Sequence, residues 1–319
     1  MLSVVRDVFP ALPRPMAPVD SIRLEIPTLC VALAVYSGFG LLTWYFRDLP
    51  ILIAAPSGAI LLAWYGSLQH ETIHGHPTSS RRLNRILAGL PLALWMPYAI
   101  YRTTHLQHHR HEGRYLTDVS RDPESFYLRS GTLARARAIA RILYSINCTL
   151  AGRLILGPAI TIVKFGTSEA RMIRAGDKRR LLIWARHSLG VAIVLMWTVG
   201  VCRIPFLVYA ALVVYPSVSL SQLRSFAEHR ADADSHRRTA AVEAGPVWSL
   251  IFLNNNLHIA HHAHRKLPWY ELPRAWRQMR DSAIASGVVL QGGYAQVLRQ
   301  YLFKPVISVE HPSSTRDGV

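Results

Sequence analysis

The chain has 319 residues, 50% of them hydrophobic and 17% charged, with a mean hydropathy of +0.17. That hydropathy lies well above that of an ordinary soluble enzyme and points to a membrane protein. The net charge is +17, carried mostly by arginine, but no nucleic-acid recognition motif accompanies it, so the excess reads as membrane-flanking charge rather than nucleic-acid binding.

The first 25 residues carry prolines and charges without an apolar stretch and so are no signal peptide; they read as an N-terminal segment outside the membrane. Ile26–Phe46 and Pro50–Gln69 are each apolar over the roughly 20 residues that a bilayer requires, and the short loop between them makes a helical hairpin. The second span runs directly into His70-x-x-x-His74, after which Gly75 and Pro77 stop the helix. Ile86–Tyr101, interrupted by Pro91 and Pro97, and Tyr144–Val163, interrupted by Arg153, read as interfacial or partly buried helices. Between them stands His105-x-x-His108-His109.

Leu181–Val201 and Ile204–Gln222 form a second hairpin. His229 is placed about two helical turns beyond its end, and His258-x-x-His261-His262 follows the short apolar run Val247–Leu253. Residues 26–302 therefore read as one domain, and 303–319 as a flexible tail. The predicted fold is an all-α integral membrane protein, with four spans in two hairpins under a helical cap. Cys30, Cys148 and Cys202 are scattered and form no C-x-x-C pair, which excludes a disulfide framework and iron–sulfur motifs.

Arginines crowd Arg102–Arg141, Arg171–Arg186, Arg224–Arg238 and Arg274–Arg280, whereas the two hairpin loops hold only Arg47 and Arg203. By the positive-inside rule both termini and all the histidine boxes are expected in the cytoplasm, beside anionic membrane lipids.

Residues three or four apart share one helix face, so each box can aim its rings at one point. Imidazole suits iron, zinc, copper and nickel. His70, His74, His105, His108, His109, His229, His258, His261 and His262 are more donors than one tetrahedral zinc uses, so the count predicts a two-metal site at a membrane surface. Orienting groups are expected among Glu71, Asp118, Asp122, Glu228 and Asn255. His187, His236 and His311 read as satisfied polar residues or head-group contacts. His76, His111 and His264 extend the boxes at spacings off the shared face.

With these boxes in this order between two hairpins, the chain resembles the integral-membrane fatty acid desaturase and hydroxylase superfamily from about Ile26 to Pro273. Asp122-Pro123-Glu124 and Pro268-Trp269-Tyr270-Glu271-Leu272-Pro273 resemble its bacterial branch, which borders the carotenoid ketolases. Arg265, where the ketolase-like motif has proline, and the lead-in Asn254–Asn256 depart from that pattern and leave the substrate open.

The resemblance implies a cap holding two iron ions, with the eight box histidines as ligands and His229 as the additional ligand that comes after the last span. It also implies O2 as co-substrate and a separate electron donor, a ferredoxin or cytochrome with its reductase. The expected activity is fatty acyl desaturation in the bacterial inner membrane, with hydroxylation or ketolation of a carotenoid or other lipid as the alternative. A non-enzymatic metal-binding protein is a further alternative. A transporter would place ionisable groups at mid-membrane, and a zinc hydrolase would leave most of these histidines unused.

Overall fold

The computed structural model describes residues 24–110, 115–232, 234, 237–305 and 309–311. The N-terminal segment up to residue 23, His111 and His236 lie outside the described residues. The chain begins with α1 (Ile26–Trp44) and α2 (Ile51–His74), then forms α3 (Arg81–Ala88), α4 (Tyr98–His108), α5 (Ala138–Asn147), α6 (Leu150–Ile155) and α7 (Gly157–Arg174). Two more long apolar helices come next, α8 (Lys178–Val201) and α9 (Phe206–Glu228). The remainder is β1 (Ala240–Val242), α10 (Pro246–Ile251), α11 (His258–Ala263), α12 (Leu272–Ala285), β2 (Val289–Gln291) and α13 (Tyr294–Tyr301). The four long helices α1, α2, α8 and α9 make this an all-α membrane fold. Among the described residues it adds a parallel pair, β1 with β2, that periodicity did not announce.

Pro27 opens α1 and Pro50 precedes α2, where a missing N–H costs nothing. Helix α2 continues through the first box and ends at Gly75, whose φ of 102° is the left-handed cap that glycine adopts without strain. It packs most heavily on α9 and α1. Leu33, Leu52, Leu189 and Leu207 remain exposed on the four long helices, as lipid-facing positions do. Helix α8 is the most peripheral, with 17% of its apolar window buried.

The fourth span ends later than its hydropathy suggests. Polar residues after Gln222 stay helical because Leu223 and Phe226 pack against Phe252 and Tyr294, while Arg224 pairs with Glu228 at 3.2 Å. His229 is therefore the first residue after α9 rather than two turns beyond it. The supposed tail from residue 303 is also pinned in part. His311 N–H donates to the Leu128 carbonyl at 2.9 Å, and Glu310 accepts from the N–H groups of Gly131 and Leu133.

The stretch Ile86–Tyr101 is not one helix. Helix α3 stops at Gly89, and residues 90–97 run without helical bonds among the spans, with Leu92 inside the same core as Leu62 and Tyr209. Non-helical backbone at this depth needs partners for its carbonyls. Tyr65 donates to the Ala88 carbonyl at 2.7 Å and also to that of Leu90. Tyr209 serves Leu92 at 2.7 Å, and the His187 ring serves Leu94 at 2.8 Å. His187 is thus a satisfied polar residue, as its isolation in the sequence suggests. Pro97 then opens α4, which carries the second box.

Tyr209→Phe would orphan the buried Leu92 carbonyl, a cost of about 1–3 kcal/mol. Thermal unfolding in detergent should show a lowered midpoint for this variant, and none for Tyr45→Phe at an exposed position. Equal midpoints for the two would contradict the role given to these hydroxyls.

Candidate metal centre

Each box reaches the site by a different route. Helix α2 carries His70 and His74, helix α4 carries His105 and His108 with His109 as its C-terminal cap, and helix α11 carries the third box. The asparagines before α11 shape its approach. Leu253 and Asn254 take left-handed backbone, with φ of 47° and 54°, a conformation that asparagine tolerates better than most residues. Asn254 Nδ2 donates to the Trp269 carbonyl at 3.0 Å, and Asn256 Nδ2 to that of Val242 at 2.8 Å. Ser67 on α2 donates to the Ile251 carbonyl at 2.8 Å, which ties α2 to this connection.

All nine histidines singled out in the sequence come together, and they divide into two groups. His70, His74, His105, His109 and His261 form one, and His108, His229, His258 and His262 the other, with donor atoms within 4.8 Å of one another in each. The division cuts across the boxes. The second sends His108 to the second group, and the third sends His261 to the first. Rings of the two groups touch, as in the stacked pair His109 and His262 with centroids 4.3 Å apart.

In eight of the nine rings Nε2 faces another ring's Nε2, whereas His70 Nε2 lies 3.3 Å from Asn255 Nδ2. His105 Nε2 lies 3.0 Å from that of His74 and 3.1 Å from that of His109, which is 3.2 Å from that of His261. In the second group, His229 Nε2 lies 3.1 Å from that of His108 and 2.8 Å from that of His258, which is 3.0 Å from that of His262. The outer nitrogens carry the protons. His105 Nδ1 donates to Glu124 at 2.8 Å and His108 Nδ1 to Asp122 at 2.9 Å. His258 Nδ1 donates to Asn255 Oδ1 at 3.0 Å, and His229 Nδ1 to the Arg238 carbonyl at 3.3 Å. A neutral ring protonated at Nδ1 presents a bare lone pair at Nε2. In the second group, His108, His229 and His258, when neutral, thus point lone pairs at one another, an arrangement that suits a cation. Two donors about 2.1 Å from one ion and at right angles stand about 3 Å apart, the spacing found here. The residues fit a pair of metal ions.

Burial and mutual repulsion favour the neutral form of five of these rings. Burial, followed by its neighbours' charge, keeps His109, His258, His261 and His262 well below the usual imidazole range. Burial and His108 push His229 down to about 3. His108 alone moves upward, because Glu124 and Asp122 outweigh its burial. Burial would raise Glu124, but His105 and His108 hold it low.

Among the expected orienting groups, Asp122 and Asn255 make direct bonds to rings. Asp122 is itself fixed by the Thr117 N–H at 2.8 Å. Glu228 lies 3.5 Å from His258 Nδ1, and Glu71 lies 3.7 Å from His70 Nδ1 while accepting from the Trp269 N–H at 3.0 Å. Among the described residues Asp118 bonds no imidazole. It accepts from the N–H groups of Ser120 and Arg121 at 2.8 and 3.0 Å, building the turn that delivers Asp122. Glu124 and the Arg238 carbonyl escaped residue-by-residue reading. Glu124 had a signal, since Pro123 separates it from Asp122 in an extended turn, whereas a backbone carbonyl leaves no trace in sequence. The remaining histidines stand apart: His76 Nδ1 pairs with Glu25 at 2.7 Å and His311 Nε2 with Thr117 at 2.9 Å, and His264, half-buried, joins neither group.

A cleft of about 690 Å³ opens beside the histidines, between α2, α7 and α9. That size suits a small molecule or a lipid chain. His105 from the first group and His229 and His258 from the second line it, so one bound molecule reaches both.

Five rings whose folded-state pKa lies below the unfolded value of about 6.5 disfavour proton uptake, against two rings of opposite sign, His108 and His76. The unfolded chain binds more protons below that pH, so the stability of the metal-free protein falls as pH drops through about 6.5. Thermal midpoints of metal-free protein in detergent should fall between about pH 7.5 and 5.5. A flat or rising profile would contradict the neutral cluster.

No curated protein matches the chain. Residues 48–293 match the family described as fatty acid desaturase, a range that holds both histidine groups and three of the four spans. The chain belongs to the fatty acid desaturase family.

Proposed function

We propose that the protein is an O2-dependent di-iron lipid oxidase, a fatty acyl desaturase that introduces a C=C bond into a membrane-embedded acyl chain. The observation that carries this reading is the gathering of nine imidazoles into two adjoining groups at the wall of a cleft. Membership of the family supports it. His70, His74, His105, His109 and His261 would hold one iron, and His108, His229, His258 and His262 the other. When bound, the irons supply with O2 the oxidant that an unactivated C–H bond requires, since no side-chain acid or base removes a hydrogen that is not acidic.

The chain supplies geometry and dryness. Glu124, Asp122, Asn255 and the Arg238 carbonyl hold protons on the outer ring nitrogens and keep the inner lone pairs aimed. Burial of most of the rings excludes water from the reacting side. The cleft fixes which carbon stands before His105, His229 and His258. Desaturation and hydroxylation share the first hydrogen removal and diverge only at the second step, so the alternative of a lipid or carotenoid hydroxylase or ketolase uses the same residues. The basic cap belongs on the cytoplasmic side of a bacterial inner membrane, against anionic lipid. Electrons come from a separate ferredoxin- or cytochrome-type donor with its reductase, because the sequence carries no flavin, haem or iron–sulfur motif.

His261→Ala and His109→Ala should abolish lipid oxidation while the protein stays in the membrane, and full activity in either would remove that residue from the site. Asp122→Asn should weaken metal binding about 10–100-fold, measured by competition with a chelator. Mass spectrometry of lipids from a host with and without the gene should show loss of two hydrogens. Gain of an oxygen atom instead favours the hydroxylase reading, and unchanged lipids contradict both. Purified protein given NADPH and O2 alone should not turn over; turnover would exclude a separate donor.

A further inference from the structure

The cleft wall holds a charge that the site just described does not use. Arg153 on α6 is 5% exposed, and buried arginines are rare without a carboxylate. The chain's other paired arginines have one: Arg180 pairs with Glu169, Arg224 with Glu228 and Arg280 with Glu243. Among the described residues no carboxylate stands within ion-pair distance of Arg153. Its Nε donates to the Asn147 carbonyl at 3.2 Å, its guanidinium lies 3.9 Å from the centre of the Phe126 ring, and its Nη2 has no partner.

Lys164, on α7, lines the same cleft. Among the described residues it has no acidic partner either. Burial, and then the charge of Arg153, pull its pKa down, while burial brings Arg153 itself to about 10. Arg153 and the more exposed Lys164 thus share one cleft wall beside Phe126 and Phe165, while the carboxylates that line the cleft are engaged elsewhere, Asp122 with His108, Glu124 with His105, Glu169 with Arg180 and Glu228 with Arg224. Neutralising the buried Arg153 inside the protein takes an anion.

Their position relative to the histidines can be read from Gly157. A Cβ there would lie 2.0 Å from Gln222 Oε1 and 2.9 Å from Arg153 Cδ, so these two side chains are near neighbours. Gln222 precedes His229 by seven residues, a distance of about 10 Å along a helix. An anion held at Arg153 therefore sits in the same cleft as His105, His229 and His258, at the part walled by Gln222 and Phe126.

We propose that Arg153 and Lys164 form a head-group site for an anionic amphipath, so that the lipid oxidised carries a carboxylate or a phosphate and is not a neutral polyene. The part that concerns oxidation rests on the lipid-oxidase reading; the binding site does not. Arg153 offers the forked donors that match either anion, and Lys164 adds a mobile point charge at the more exposed side.

The test is equilibrium binding to the full-length protein, purified with its native metal in a neutral detergent and followed by tryptophan fluorescence, since Trp95 lines the cleft. The probes are tetradecanoate, tetradecyl phosphate and tetradecanol, equal in chain length and different in head. At least one anion should bind about tenfold more tightly than the alcohol, equivalent to about 1.4 kcal/mol. Tighter binding of tetradecanoate assigns the site to a fatty-acid carboxylate, and of tetradecyl phosphate to a phosphate-bearing lipid. Lys164→Gln should cut the preference to a few-fold, and Arg153→Lys should retain more of it than Arg153→Gln.

If Arg153→Gln does not fold, Lys164→Gln and the loss of the preference at high salt carry the test. Equal binding of all three probes overturns the site, as does a preference that survives Lys164→Gln and high salt. Lipid oxidation with equal binding would sink this proposal and leave the oxidase reading standing. Anion preference in a protein that leaves host lipids unchanged would do the reverse.

Discussion

Two imidazole nitrogens whose rings both keep their proton on the opposite nitrogen do not crowd to within about 3 Å of one another unless something positive lies between them. That constraint governs this structure. Hydrogen bonds fix the protons of four rings on their outer nitrogens, His105 in the first group and His108, His229 and His258 in the second, which turns the lone pairs of the latter three toward one point. Every other feature of the cap can be read as the means of holding those rings in place against their mutual repulsion.

The spans do part of that work. Close packing of α2 on α9 brings the first box and His229 side by side, because both helices finish at the same end of the bundle. The second box arrives by way of a non-helical segment whose carbonyls are served by Tyr65, Tyr209 and His187 from within the spans. The third arrives over an asparagine turn bonded to α2 through Ser67 and Ile251. Membrane packing and site geometry are therefore coupled, and the cleft between α2, α7 and α9 opens where they meet.

Much of this was legible in the residues. Four spans, two hairpins and the helical continuation of α2 to His74 follow from hydropathy and from the stop at Gly75. The nine histidines are visible as spacing. Their division is not, because which ring of a box turns to which neighbour depends on how α4 and α11 cross, and periodicity does not encode crossing. The late end of α9 was hidden for a similar reason: polar residues after Gln222 are helical through tertiary contacts with Phe252 and Tyr294. Asp118 looked equivalent to Asp122 by proximity, yet turn geometry gives one to backbone N–H groups and the other to an imidazole. The triple asparagine, unusual as a motif, proves to shape the approach to α11.

Metal content of the protein purified from its native host bears most directly on whether these imidazoles enclose a pair of cations. Two bound ions per chain, with X-ray absorption showing mainly nitrogen neighbours, is the predicted result. An active preparation with a single ion, or with none, would contradict it.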